Sequence, residues 1–219
     1  MVPPDTHTSD GAGTNGSGSG TVDGAGQWTN GRFTIRQKAA LTTDRYTVSE
    51  LLPDGSDGGV LAFAELKRLS LKEEMTFYTD ESRTRVSFTV KERSLLDVGD
   101  GYDVRDAEGN PIGAFEERFF ASLLRSTWVL DQPGSPVAVG RERNRFVAVL
   151  RRVWDFLPLD LVPFVWPYHF DFETDGKPVM KVDKKFGPRD SYVVDMAASG
   201  LDPRLVIAQA VALDTFQGR

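Results

Sequence analysis

From Trp28 onward, apolar and polar residues alternate along most of the chain. Phe33 and Ile35 interleave with Thr34 and Arg36, Tyr46 and Val48 with Thr47 and Ser49, and Val86, Phe88 and Val90 with Ser87 and Thr89. An extended chain sends successive side chains to opposite faces, so a period of two marks strands with one buried face. Turn chemistry punctuates the pattern at Pro53-Asp54-Gly55, Glu108-Gly109-Asn110-Pro111, Pro133-Gly134, Asp175-Gly176 and Phe186-Gly187-Pro188. These signals predict twelve strands, at 32–37, 45–50, 60–67, 74–78, 83–91, 101–105, 111–118, 126–130, 137–142, 168–173, 178–184 and 190–196.

A weak repeat runs through them. Tyr46-Thr47-Val48, Tyr102-Asp103-Val104 and Phe170-Asp171-Phe172 each open a strand. Each is followed by a glycine-bearing turn and a second apolar strand, Val60–Phe63, Ile112–Phe115 and Val179–Val182. A single hairpin cannot bury its apolar face, so similar hairpins must be assembled together.

Two helical segments break the alternation. The first is predicted over 143–155, with Phe146, Val147, Val149, Leu150, Val153 and Trp154 on one arc and Arg145, Arg151 and Arg152 opposite. The second opens with Asp202 as N-cap and Pro203 as first helical residue, then runs Leu205-Val206-Ile207-Ala208-Gln209-Ala210-Val211-Ala212-Leu213. Apolar on every side, it must be surrounded, yet at roughly 20 Å it is too short to cross a bilayer. The expected fold is therefore mostly β, a twelve-stranded closed barrel enclosing a hydrophobic C-terminal helix.

Composition narrows the function. Residues 1–27, rich in Gly, Ser, Thr and Asp, read as a disordered tail and leave 28–219 as one domain. The net charge of −6 argues against a broad nucleic-acid surface. The absence of cysteine excludes disulfides, thiol nucleophiles and Cys-ligated metals. Met1-Val2-Pro3-Pro4-Asp5 lacks the pattern of a signal peptide, so the expected location is cytoplasmic, peripheral at the inner membrane face if lipid is bound.

Asp106-Ala107-Glu108-Gly109-Asn110-Pro111-Ile112-Gly113 and Arg125-Ser126-Thr127-Trp128-Val129-Leu130-Asp131, with the apolar helix from Pro203 to Phe216, resemble the LURP-one-related and phospholipid-scramblase group of Tubby C-terminal-like domains. The resemblance spans roughly 30–219 and implies a twelve-stranded barrel around a C-terminal helix. It also implies either a membrane tether that binds phosphoinositides through basic side chains or calcium-dependent lipid movement. The palmitoylated cysteines of the eukaryotic scramblases have no counterpart here.

Enzymatic candidates are sparse, and a non-enzymatic domain without cofactor or metal is expected. His7 lies in the tail and His169 in an aromatic strand, with no Gly-x-Ser-x-Gly elbow. Asp100, Asp103 and Asp106 are spaced like early calcium ligands, but the sixth and twelfth places hold Arg105 and Pro111, not Gly and Glu.

The stretch 141–167 carries more information. Arg141, Arg143, Arg145, Arg151 and Arg152 precede a proline-punctuated segment with Trp154, Phe156, Phe164 and Trp166. A basic amphipathic helix followed by aromatics is the composition of an interfacial membrane contact. The competing reading is a helix that docks on the barrel and plugs one end. Lys181, Lys184, Lys185 and Arg189 form a second basic cluster, either headgroup-binding or merely solvated. The expected partner is an anionic phospholipid surface, with a scramblase-like transporter and a small-ligand or protein-binding barrel as alternatives.

Overall fold

The computed structural model describes residues 31–39, 43–67, 74–93, 101–118, 127–143, 169–185, 191–196 and 200–217. Its strands are β1 (Arg32–Ala39), β2 (Thr43–Leu51), β3 (Asp57–Lys67), β4 (Glu74–Tyr78), β5 (Val86–Glu92) and β6 (Tyr102–Asp106). They continue with β7 (Pro111–Arg118), β8 (Thr127–Asp131), β9 (Ala138–Glu142), β10 (His169–Thr174), β11 (Lys177–Lys185) and β12 (Ser191–Met196), followed by helix α1 (Pro203–Gln217). Each strand pairs antiparallel with its sequence neighbours, and β12 pairs with β1 to close a barrel. The predicted strands and terminal helix are all present. The helix expected over 143–155 lies outside the described residues, apart from Arg143 just past the end of β9.

The two largest boundary differences, of three residues each, have local reasons. β3 begins at Asp57 rather than at residue 60, because Asp57 pairs with Leu51 across a register shift that takes in Gly58 and Gly59, which show no side-chain period. β5 begins at Val86 rather than at residue 83, because Arg83 takes a positive φ of 57° in the preceding turn.

The sequence repeat has a structural counterpart. The hairpins β2–β3, β6–β7 and β10–β11 stand four strands apart around the ring. In each, the register shifts directly after the apolar residue that ends the triplet: Val48, Val104 and Phe172. An extra residue there raises the local twist and bends the strand, so three regularly spaced bulges help the sheet curl onto itself.

The barrel axis is filled by α1. Every residue from Leu205 to Leu213 is at most 2 % exposed. Around the helix lie the inward faces of the strands, including Phe33, Ile35, Phe77, Phe88, Phe115, Trp128, Phe170 and Phe172, all buried. Burial of each large side chain contributes about 1.5–3 kcal/mol, so this one helix organises much of the hydrophobic stabilisation.

Both ends of α1 are tied to the wall. At the entry end, the Asp202 carboxylate accepts from the Arg204 amide at 2.9 Å, a capping contact. Gln132, in the β8–β9 turn, accepts from the Asp202 amide at 2.6 Å and donates to the Gly200 carbonyl at 3.1 Å. At the exit end, Thr215 lies 3.5 Å from the Tyr46 hydroxyl, which accepts from the Gln37 amide at 3.1 Å.

At Gly113, the last residue of the Asp106–Gly113 string, the helix approaches the wall too closely for a side chain. A Cβ there would stand 2.8 Å from Leu205 Cδ2 and 2.7 Å from the Asp131 carbonyl oxygen. Gly113→Ala should therefore destabilise the fold by about 1–3 kcal/mol, read as a lower urea midpoint at unchanged slope. The opposite sign is expected at Gln209. Its amide is fully buried in mid-helix and neither polar atom meets a hydrogen-bond partner among the described residues. Gln209→Met, which keeps the length and removes the unpaired dipoles, should stabilise by about 1–2 kcal/mol. An unchanged or lowered melting temperature would reject this account of Gln209.

Candidate functional site

The helix direction distinguishes the two barrel ends. The entry end carries the five turns that join β2–β3, β4–β5, β6–β7, β8–β9 and β10–β11, all of them described. Their tips and flanks hold Asp54, Asp80, Glu81, Asp106, Glu108 and Asp175 against Arg83, Arg85 and Lys177. Several of these acids are built into the turns. The Ser56 hydroxyl and amide donate to Asp54, and the Ser82 amide donates to Asp80; serine hydrogen bonds hold both carboxyls below the usual carboxylate range. Asp106 accepts from the Glu108 and Asn110 amides at 3.0 and 2.7 Å, so its oxygens close the β6–β7 turn.

At the exit end, β9 ends and β10 begins, and β11 ends and β12 begins. The flanks of 144–168 and of 186–190 therefore lie at one end, on strands β9 to β12. Both candidate basic stretches, 141–152 and 181–189, are tethered there. Of the candidate residues, Arg141, Arg143, Lys181, Lys184 and Lys185 are described. Arg145, Arg151, Arg152, Trp154, Phe156, Phe164, Trp166 and Arg189 lie outside the described residues.

Strand register places the five described cations individually. One outward row crosses the wall as Arg141 (β9), Asp171 (β10), Lys181 (β11), Asp195 (β12) and Arg32 (β1), alternating in sign at each step. Opposite charges directly across a sheet stabilise it modestly. Arg143, just past the end of β9, donates from Nε and Nη2 to the two oxygens of Asp171 at 2.7 and 2.5 Å, a bidentate pair. Its Nη1 lies 3.4 Å from Asp183, and His169 Nδ1 lies 2.7 Å from the same carboxylate. Arg143 is therefore a structural clamp between β9, β10 and β11.

Lys184 departs from its cluster. It lies on the same face as Val182, pointing inward, with Nζ 5.3 Å above the centre of the Tyr192 ring. The cation rests on the negative face of the aromatic at the barrel rim. Arg141, Lys181 and Lys185 point outward, are exposed, and form no ion pair with the described residues. Among the described candidate cations, these three are the ones exposed on the outer wall without a partner within ion-pair distance.

Among the described residues, the acids of the calcium-like spacing are drawn into the wall's own charge pairs and turns. Asp103 is held by Arg93 at 2.8 Å and faces Arg105 at 3.8 Å, which accounts for the second acid of the calcium-like spacing. Among the described residues, no group of three or more acids and histidines is placed to hold a metal ion. Nor is any described helix long and apolar enough to cross a membrane. The wall itself, with Arg32, Arg36, Arg45, Asp171 and Lys181 facing outward, is the reverse of the apolar band on a transmembrane barrel.

A family model for LURP-one-related proteins matches residues 60–214, from within β3 almost to the end of α1. The chain belongs to the LURP-one-related family. That family is part of the Tubby-like superfamily, so the resemblance seen in the β6–β8 strings and the terminal helix is the correct one. β1 and β2 lie before the matched span, yet β1 closes the ring through β12. Comparison with curated proteins found no match, and comparison with solved structures found none.

The acids among the cations were not singled out from sequence, because cross-strand register is not visible in a single strand. Their effect is testable through pH. Hydrogen bonds from Arg143 hold the Asp171 carboxyl below the usual carboxylate range. Its folded pKa is thus lower than its unfolded one near 3.9, so its contribution is complete above about pH 5 and is lost as pH falls through the folded value. Asp171→Asn should cost about 0.5–1 kcal/mol at neutral pH, and the gap to wild type should narrow in urea titrations as pH falls through the lowered folded value. A gap that persists undiminished in acid would show that the charge is not what matters.

Proposed function

We propose that this protein is a non-enzymatic binding module that docks peripherally on anionic phospholipid through the exit end of its barrel. The observation that carries this reading is the convergence of the two basic stretches at that end, on strands β9 to β12, opposite acid-rich turns. Such polarity orients a molecule near a negative surface, the acidic end facing away. Two further features support it. The lumen is occupied by α1, which leaves the outer surface and rims for a ligand. Membership of the Tubby-like superfamily suggests a barrel that binds lipid or another ligand.

In this reading Arg141, Lys181 and Lys185 supply the described part of the electrostatic contact. Arg145, Arg151, Arg152 and Arg189 extend it, and Trp154, Phe156, Phe164 and Trp166 enter the headgroup layer. Arg143 acts indirectly, by holding the strands that present its neighbours.

Vesicle sedimentation tests the proposal. The full chain should pellet with phosphatidylserine-containing vesicles and not with phosphatidylcholine alone, and added salt should weaken binding. Each surface cation contributes about 1 kcal/mol, so the triple variant R141E/K181E/K185E should lose at least roughly a hundredfold in affinity. Equal pelleting with neutral and anionic vesicles, or a triple variant that binds as wild type, would overturn the reading.

A further inference from the structure

A second feature lies on the opposite side of β8. Three outward residues stand in one cross-strand row: Asp103 on β6, Ala114 on β7 and Asp131 on β8. With strands about 4.8 Å apart, the two carboxylate-bearing residues are about 10 Å from each other. The methyl group of Ala114 between them leaves a notch. Its cavity of about 180 Å³ is lined by Arg93, Asp103, Arg105, Gly113, Ala114 and Asp131, with Pro111 and Pro133 at its mouth. A second hollow of about 150 Å³ adjoins it, sharing Arg93, Ala114 and Asp131.

The charges in this notch are unevenly distributed. On one side, two guanidiniums share one acid, Arg93 at 2.8 Å and Arg105 at 3.8 Å from Asp103. Arg105 is also steadied by donation to the Gly109 carbonyl at 3.2 Å. That side retains one positive charge. On the other side, Asp131 is exposed and has no cation within ion-pair distance among the described residues. The notch therefore has a positive pole and a negative pole, separated by an uncharged floor of Gly113 and Ala114.

We propose that this notch binds a small zwitterion, an aminoalkyl phosphate, with its ammonium group on Asp131 and its phosphate on Arg93 and Arg105. Phosphate suits the positive pole because guanidinium groups make strong charge-assisted hydrogen bonds to its oxygens. The cavity is smaller than the roughly 300 Å³ typical of drug-sized ligands, in keeping with a compact headgroup-like molecule. The same chemistry occurs in free phosphoethanolamine and at the head of an ethanolamine phospholipid. Neither pole uses Arg141, Lys181 or Lys185, so the site stands or falls independently of the exit-end reading.

Backbone NMR titration of the full chain with phosphoethanolamine, ethanolamine and inorganic phosphate tests the site. Phosphoethanolamine should give saturable shifts centred on Ala114 and Asp131, with each half-ligand at least about tenfold weaker. Asp131→Asn and Arg105→Gln should each weaken binding by about tenfold, while Ala114→Leu, which fills the notch, should abolish it with the melting temperature retained. Ethanolamine-lipid vesicles in phosphatidylcholine identify the source. Asp131-dependent pelleting assigns the lipid headgroup, and soluble binding without pelleting assigns the free molecule. No saturable shift at millimolar ligand together with no pelleting would overturn the proposal, as would equal affinity for ethanolamine alone.

Discussion

The structure depends on the burial of a helix that has no polar face. Leu205 to Leu213 cannot be laid on a sheet, because any one-sided packing would leave half of the segment in water. Only a closed wall covers it fully, and a closed wall needs curvature, supplied in part by the three bulges after Val48, Val104 and Phe172. It also needs room for the helix, which Gly113 provides where Leu205 approaches too closely for a side chain. Helix, bulges and glycine are thus parts of one constraint. Its consequence for function is direct, since recognition is left to the rims and the outer wall.

The elements were legible in the sequence because their signals are local. A period of two marks a half-buried strand whatever its neighbours are, and an apolar run with an N-cap and no polar face marks a swallowed helix. The charged surface was less legible. Lys181, Lys184 and Lys185 look like one cluster, but the two-residue period turns Lys184 inward over Tyr192 and leaves the others outside. Arg141 and Arg143 look equivalent, yet Arg143 is bound to Asp171 and Asp183 from strands 28 and 40 residues further along. Which acid faces which base is decided by register, and register is a property of two strands. Asp131 shows the same limit: its string was recognisable, but its unpaired charge appears only once Ala114 and Asp103 stand beside it.

The two barrel ends divide the demands placed on the chain. At the entry end, turns are short and their polar groups are engaged locally, as when Asp54, Asp80 and Asp106 close their own turns and Gln132 clasps the start of α1. Side chains committed in this way contribute to the fold and are poorly available to a partner. The segment 144–168 joins β9 to β10 at the exit end, and its sequence carries Arg145, Arg151, Arg152, Trp154, Phe156, Phe164 and Trp166. That difference in side-chain commitment is why the contacts proposed above fall on the exit end of β9 to β12 and on the notch of β6 to β8, and not in the filled lumen.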